Sequence, residues 1–113
     1  MSLSRLEELR KELGELVNKA PELASFVEYV EKAEATKTLD KKTKELMSLA
    51  IGIAIRCEPC ILWHCAEAIN AGATMSEILD TIKVAVCMGG GPALAYSVKA
   101  YEIAKEILEK RGR

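Results

Sequence analysis

The sequence predicts an all-α protein that forms a homo-oligomer, and three observations carry this prediction. Apolar residues recur every three or four positions along nearly the whole chain, and no alternating strand pattern is visible. Helix-start and helix-stop residues divide the chain into about six helical segments. The 113 residues, 50% of them hydrophobic, suffice for one folded core and hardly for two.

Two helices are predicted in residues 1–38, which we interpret as an N-terminal helical extension. The first carries leucines at a helical spacing, and Ser4 with Glu7 has the pattern of a capping box. Pro21 fits the first turn of the second helix. An apolar face built around Phe26 makes this second helix amphipathic.

Residues 39–110 are predicted to form the main helical domain, which begins with two helices. Asp40 is the expected N-cap of the third helix, which runs to about Arg56. Pro59 cannot continue that helix and suits the first position of a fourth one. Gly72 ends the fourth helix.

The last two predicted helices are separated by glycines. Thr74 and Glu77 form a second capping-box pattern that starts the fifth helix. Residues 89–91 are three consecutive glycines, which should break the chain. Pro92 then opens a sixth helix that runs to about Lys110.

Charge and hydropathy exclude several classes of function. The 16 basic and 17 acidic side chains give a net charge of −1, which argues against nucleic-acid binding driven by bulk charge. The N-terminus is charged and does not resemble a secretory signal. A nearly uncharged run such as Leu46 to Ile55 is far shorter than the roughly 20 residues of a membrane span. We therefore expect no membrane partner and a cytoplasmic location.

The uneven distribution of charge predicts self-association. Nineteen of the 33 charged residues lie in positions 1–45, whereas six lie between Leu46 and Val98. Helices that are apolar on most sides need more cover than one small domain provides, so we expect other copies of the chain to cover them. The alternative is that the amphipathic first two helices cover this surface.

The cysteines are the most informative residues. In a cytosolic chain Cys57, Cys60, Cys65 and Cys87 are not expected to form a structural disulfide framework. Three of the four lie within nine residues, together with the only histidine, His64. Such a cluster points to thiol redox chemistry or to metal binding.

The Cys57–Cys60 spacing favours redox chemistry. At the start of a helix, unpaired N–H groups and the helix dipole favour the thiolate form of Cys60. Cys57 is close enough to form a disulfide with it. His64 lies one helical turn after Cys60 and could transfer a proton. A thiolate of this kind can attack an O–O or S–S bond, and the second thiol then resolves the product.

Two other interpretations of the cluster stay open from spacing alone. Cys57, Cys60 and His64 could bind zinc with Cys65 as a strained fourth ligand, although Cys65 turns well away from their shared helix face. The cysteines could also be small core residues around a buried imidazole.

The pattern of Glu45, eleven residues, Cys57, two residues, Cys60, three residues and His64 resembles the signature of AhpD-like alkylhydroperoxidases. These proteins belong to the carboxymuconolactone decarboxylase superfamily. The segments 71–74 (Ala-Gly-Ala-Thr) and 88–93 (Met-Gly-Gly-Gly-Pro-Ala) are also similar to that family. The resemblance covers about residues 39–105.

The resemblance implies a helical fold that assembles into trimers or hexamers. It implies a peroxidatic thiol at Cys60, a resolving thiol at Cys57, and a proton relay through His64 and Glu45. It also implies a hydroperoxide substrate, no metal or other cofactor, and reduction by a dithiol partner, which is a lipoylated acyltransferase in the founding system. True decarboxylases of the superfamily lack the cysteine pair, so lactone decarboxylation is a poor interpretation.

Glu45 is the member of this set that lies farthest from the cysteines in the sequence. Twelve helical residues span about 18 Å, so Glu45 cannot reach Cys57 along one straight helix. A bend at Gly52, another packing partner or a neighbouring subunit would have to bring it in. Without the resemblance, Glu45 would be interpreted as a surface acid.

The sequence therefore predicts a thiol-dependent peroxidase. A general disulfide reductase and a zinc-stabilised or non-catalytic helical oligomer are the alternatives.

Overall fold

The computed structural model describes residues 1–112. These residues contain five α-helices and one 3-10 turn joined by short loops, and no strand occurs among them. The elements are α1 (Ser2–Lys19), the 3-10 turn Pro21–Leu23, α2 (Ala24–Glu34), α3 (Lys41–Ala54), α4 (Glu58–Asn70) and α5 (Met75–Arg111). The all-α prediction is confirmed. The predicted number of about six helices also agrees with the structure, because α5 consists of two helices that meet at a kink at Gly90.

Two of the predicted helix starts are confirmed by their hydrogen bonds. The Asp40 carboxylate accepts the Thr43 backbone N–H at 2.7 Å at the start of α3. At the start of α5, Thr74 and Glu77 form both halves of a capping box. These caps satisfy backbone donors that a helix start leaves without intrahelical partners.

The predicted capping box of Ser4 and Glu7 is wrong. Helix α1 already begins at Ser2 and has no side-chain cap. Instead, the Glu106 side chain of α5 accepts the Ser2 backbone N–H at 3.0 Å and that of Leu3 at 3.2 Å. A tertiary contact therefore does what the local motif was expected to do.

The glycine run breaks the helical geometry of α5, as predicted, and two helices meet there. Gly90 has φ 73° and ψ −155°, a conformation open to glycine and strained for other residues. A Cβ on Gly89 would lie 2.7 Å from the Ala93 Cβ and 3.4 Å from the Ala54 Cα. The kink thus lets α5 change direction where it passes close to the end of α3.

The core lies between α3, α4 and the two halves of α5, with α1 packed across α4 and α5. Its largest completely buried apolar side chains are Leu6, Leu49, Ile53, Ile61, Leu62, Ile78 and Ile103. Small residues such as Ala68, Ala100 and Ala104 are also fully buried, which allows the helix backbones to approach closely.

Helix α5 is long and apolar enough, by length and composition alone, to cross a membrane. Its longest uncharged stretch, residues 84–98, has 15 residues and is interrupted at Gly90. This is longer than Leu46 to Ile55 but still shorter than the roughly 20 residues of a span. The absence of a membrane partner stays a prediction.

Candidate functional site

The two cysteines of the motif lie where α3 turns into α4, and they are joined by a disulfide. Their sulfurs are 2.05 Å apart and their Cα atoms 5.2 Å. Arg56 precedes them with a positive φ of 61°, and the Cys57 N–H donates to the Gly52 carbonyl at 2.9 Å. This tight turn reverses the chain and brings Cys57 to the start of α4.

Cys57 is itself the N-cap of α4. Its sulfur accepts the Cys60 backbone N–H at 3.2 Å. The helix begins at Glu58, one residue earlier than predicted, so Pro59 occupies its second position. Cys60 occupies the third position and so lies in the first turn, where N–H groups without intrahelical partners form the positive end of the helix dipole. In the first turn, the Glu58 carboxylate lies 3.6 Å from the Lys99 ammonium, which offsets its charge.

Glu45 reaches the site from the same chain. One of its carboxylate oxygens lies 2.6 Å from His64 Nδ1. Helix α3 stays unbroken, so no bend is needed. Because α4 runs back along α3 after the turn at Arg56, a residue early in α3 faces a residue in the second turn of α4. Interpreting Glu45 as a surface acid is wrong, since it is 2% exposed.

The surroundings of Glu45 keep its carboxylate ionised. Burial by itself would raise the pKa of Glu45, but hydrogen bonds from His64 and from Lys41, whose ammonium is 2.7 Å away, outweigh it and lower the pKa. The hydrogen bond between Lys41 and Glu45 also raises the pKa of Lys41. An ionised carboxylate can only accept a hydrogen bond, so Nδ1 of His64 carries the proton that lies between them. In the neutral ring Nε2 then carries no proton and can accept one.

Cys60 and His64 line one apolar cavity of about 370 Å³. The rest of its wall comes from α1, α2 and the start of α4, namely Leu13, Phe26, Val27, Val30, Pro59 and Trp63. The half-buried Cys60 therefore faces a space that a small organic molecule could enter. Sequence reasoning identified the apolar face of α2 but did not place it over the cysteines.

Charged side chains fasten α1 and α3 to the outer side of α4. The Arg10 guanidinium stacks 5.1 Å from the centre of the Trp63 ring and lies 3.5 Å from the Glu67 carboxylate. Lys41 approaches the same carboxylate at 3.7 Å. These contacts hold the helix that carries Leu13 beside the cavity.

Glu34 is a site residue that sequence reasoning missed. The Ser48 hydroxyl donates to one of its oxygens at 2.5 Å. Its other oxygen, Oε2, is buried and has no hydrogen-bond partner among residues 1–112. Ligand atoms of Glu34, Glu45 and His64 lie within 4.8 Å of one another, so these three could hold a metal ion. No spacing pattern links Glu34 to the motif, because it arrives from α2 through tertiary packing.

The other two cysteines stand apart from the motif. Cys65 is buried, its thiol faces the Ala100 carbonyl at 3.5 Å, and burial raises its pKa to about 12. It therefore does not join Cys57, Cys60 and His64 as a fourth zinc ligand, as one interpretation of the spacing required. Cys87 is exposed on α5.

Comparisons with known proteins agree on one family. A sequence model of the Carboxymuconolactone decarboxylase family matches residues 21–102. An uncharacterized protein of Cupriavidus necator is 31% identical over 98 residues, which are 86% of this chain and 87% of that protein.

Solved structures are similar over most of the chain as well. A carboxymuconolactone decarboxylase family protein of Legionella pneumophila, in its apo form, has a TM-score of 0.84 and 36% identity, covering 91% of this chain and 94% of its own. A family member from Thermotoga maritima, described with a suggested involvement in the antioxidative response, has a TM-score of 0.76 and 27% identity. That match covers 80% of this chain and 94% of the other.

Proposed function

The chain belongs to the carboxymuconolactone decarboxylase family, and from this premise we propose that it is a thiol-dependent peroxidase that cycles Cys57 and Cys60 between dithiol and disulfide. One observation carries the proposal. Cys60, which is disulfide-bonded to Cys57, shares an apolar cavity with His64, and the buried carboxylate of Glu45 lies 2.6 Å from Nδ1 of that histidine.

The first step forms a sulfenic acid. The Cys60 thiol gives its proton to Nε2 of His64, and the thiolate attacks the terminal oxygen of a hydroperoxide. The O–O bond breaks, the sulfur is oxidised, and the leaving alkoxide takes a proton from the imidazolium to become an alcohol. Helix α4 favours the thiolate because Cys60 lies in its first turn.

The second and third steps return the enzyme to its starting state. Cys57 attacks the sulfenic sulfur of Cys60, the S–S bond forms, and water leaves. The structure has the two residues in this disulfide form. A dithiol donor then reduces the bond by thiol–disulfide exchange and is itself oxidised to a disulfide. A lipoyl-bearing protein is the donor that the resemblance implies.

Glu45 acts as a positioning residue for His64. Its carboxylate fixes Nδ1 as the protonated nitrogen and turns Nε2 into the proton acceptor. It also stabilises the imidazolium that forms during the first step. The Lys41 ammonium holds the second carboxylate oxygen and so fixes the orientation of the group.

One comparison supports an antioxidant role. The Thermotoga maritima relative is described with a suggested involvement in the antioxidative response. Lactone decarboxylation is not part of our proposal, since the true decarboxylases lack the cysteine pair.

We further propose that the chain forms a homotrimer or homohexamer, because exposed apolar side chains on α3 and α5 offer a surface for other copies. A cytoplasmic location without membrane or nucleic-acid partners is also part of the proposal.

Replacement of each cysteine tests the proposal. Cys60→Ser should abolish turnover of an organic hydroperoxide in an assay coupled to a dithiol reductant. Cys57→Ser should instead stop after one turnover and leave a sulfenic acid on Cys60, which a dimedone reagent labels and mass spectrometry detects. Undiminished turnover by Cys60→Ser would refute the mechanism. Faster reduction of an oxidised protein than of the hydroperoxide would identify a general disulfide reductase.

A further inference from the structure

We propose that Glu34, Glu45 and His64 form a binding site for a divalent transition metal of the zinc class, which shares His64 with the thiol chemistry. The three residues come from α2, α3 and α4 respectively. Ligand atoms, one from each, lie within 4.8 Å of one another. Two carboxylates and an imidazole are a donor set that Zn²⁺ accepts in proteins.

Shifts of about 1–2 Å would bring these atoms to the spacing of a loaded site. Ligands about 2.0 Å from a tetrahedral zinc ion are about 3.3 Å from each other. The Glu45 oxygen and His64 Nδ1, now 2.6 Å apart, would separate slightly as a metal ion replaces the proton between them. The other pairs would close by side-chain movement, which the half-buried Glu34 at the end of α2 permits.

Glu34 provides the independent reason to expect a cation. Its Oε2 atom is buried and, within residues 1–112, has no hydrogen-bond partner. Leaving such an oxygen unpaired is unfavourable, because it has lost its hydration without gaining a partner. Since the Ser48 hydroxyl binds only the other oxygen, Oε2 is left free for a ligand.

Two lysines beside the site limit the negative charge and the ligand atoms that it offers. Lys41 neutralises one of the two carboxylates and occupies the second oxygen of Glu45, which restricts Glu45 to a single ligand atom. The Lys44 ammonium also lies close, because it donates to the carbonyls of Ala33 and Ala35 on either side of Glu34 at 2.9 Å each. The two lysines balance the two acids, so ligand geometry rather than excess negative charge would hold the metal ion. The Cys57 and Cys60 sulfurs are joined in the disulfide and need not take part.

Metal binding at this site would affect the proposed catalysis through Nδ1 of His64. A metal ion between Glu45 and His64 removes their hydrogen bond and engages the ring that the proposed relay needs. Inhibition of peroxide turnover by zinc therefore rests on the proposed function, whereas zinc binding itself does not.

Equilibrium dialysis against Zn²⁺ with elemental analysis tests the site. The experiment uses the oxidised chain carrying Cys87→Ala, so that neither the motif cysteines nor the exposed thiol can bind. We expect one zinc ion per chain. Fluorescence of Trp63, the only tryptophan, should change in step, because Trp63 and His64 line the same cavity.

A matched pair of variants locates the ion. Glu34→Gln should weaken zinc binding at least about tenfold, since the loss of an outer-shell partner of a ligand already costs that much. Glu31→Gln removes an exposed acid from the same helix and should leave the affinity unchanged. Circular dichroism checks that both variants are folded.

Absence of stoichiometric zinc, or equal affinities in Glu34→Gln and Glu31→Gln, would overturn the metal site. Neither outcome bears on the peroxidase, which the cysteine variants test separately. Zinc binding that survives Glu34→Gln but is lost in His64→Gln would also contradict the three-ligand site.

Discussion

At the residue scale, the site depends on how a buried acid is paired. Glu45 is taken out of water with two partners, His64 and Lys41, so its charge is compensated on both oxygens. A buried carboxylate without such partners would shift towards its neutral form. Its ionised state is therefore what makes Nε2 of His64 the available base in the proposed relay.

Glu45→Gln should slow peroxide turnover by roughly 100-fold, mainly in kcat, because the amide no longer stabilises the imidazolium or dictates which ring nitrogen is protonated. Steady-state kinetics with an organic hydroperoxide measure this. Glu45→Asp keeps the charge and should recover part of the loss. An unchanged kcat in Glu45→Gln would remove Glu45 from the mechanism.

The same variant should alter the dependence of stability on pH. The folded state holds the pKa of Glu45 below its usual value of 4.5. Its ionised form therefore contributes stability above about pH 4.5, and this contribution is lost as the pH falls through the folded-state pKa. In urea unfolding, the difference in unfolding free energy between wild type and Glu45→Gln should shrink in acid. A difference that is constant from pH 7 to pH 3 would contradict this account.

The sequence predicted the members of the site better than their contacts. Cys57, Cys60 and His64 follow one another on a single turn and helix, so their proximity can be predicted from spacing. Glu45 was identified by resemblance, but its contact with His64 depends on how α4 packs against α3. Glu34 has no local signal, because its position depends on α2 folding over both of those helices.

At the element scale, the close approach of α3 and α4 positions the cysteines. Helix starts at Asp40 and Thr74 could be predicted because a local side chain provides the cap. The start of α1 could not, since its cap comes from Glu106, more than 100 residues away. Local chemistry sets helix boundaries only where no tertiary contact replaces it.

Gly52 tests how far the site depends on this approach. A Cβ on Gly52 would lie 3.0 Å from the Cys60 Cβ and 3.5 Å from the Cys60 carbonyl carbon. Gly52→Ala should therefore push α4 away and lower the free energy of unfolding by about 1–3 kcal/mol. Peroxide turnover should fall as well, because Cys60 would move with α4. Thermal unfolding and kinetics measure the two effects.

Gly14→Ala is the matched control for this substitution. Gly14 lies inside α1 with nothing within 4 Å of an added Cβ. The methyl group should raise stability by about 0.5–1 kcal/mol through helix propensity alone and leave turnover unchanged. If Gly52→Ala raised stability and kept turnover as Gly14→Ala does, the close approach of α3 and α4 would not restrict the side chain at position 52.

At the scale of the whole molecule, the exposed apolar surface is larger than one chain of this size needs. On α5, Val84, Met88, Leu94 and Val98 are each at least 60% exposed, and Ile51 on α3 and Ile55 directly after it are similarly exposed. The helices of residues 1–38 lie elsewhere, with α1 against α4 and α5 and α2 beside α3. They leave this surface open, although the amphipathic pattern alone allowed them to cover it. Whether other copies cover it stays a prediction of the sequence, as does the division of the chain at residue 38.

Met88→Glu should convert the assembly into a monomer. Met88 is 79% exposed in the isolated chain, and a carboxylate placed there in an apolar interface would lose its hydration without gaining a partner. Light scattering coupled to gel filtration should give a wild-type mass of three or six chains and a variant mass of one. Leu16→Glu is the matched control, since Leu16 is 52% exposed on α1, and it should leave the oligomer intact. A monomeric wild type would refute self-association, and dissociation by Leu16→Glu alone would move the interface to the N-terminal helices.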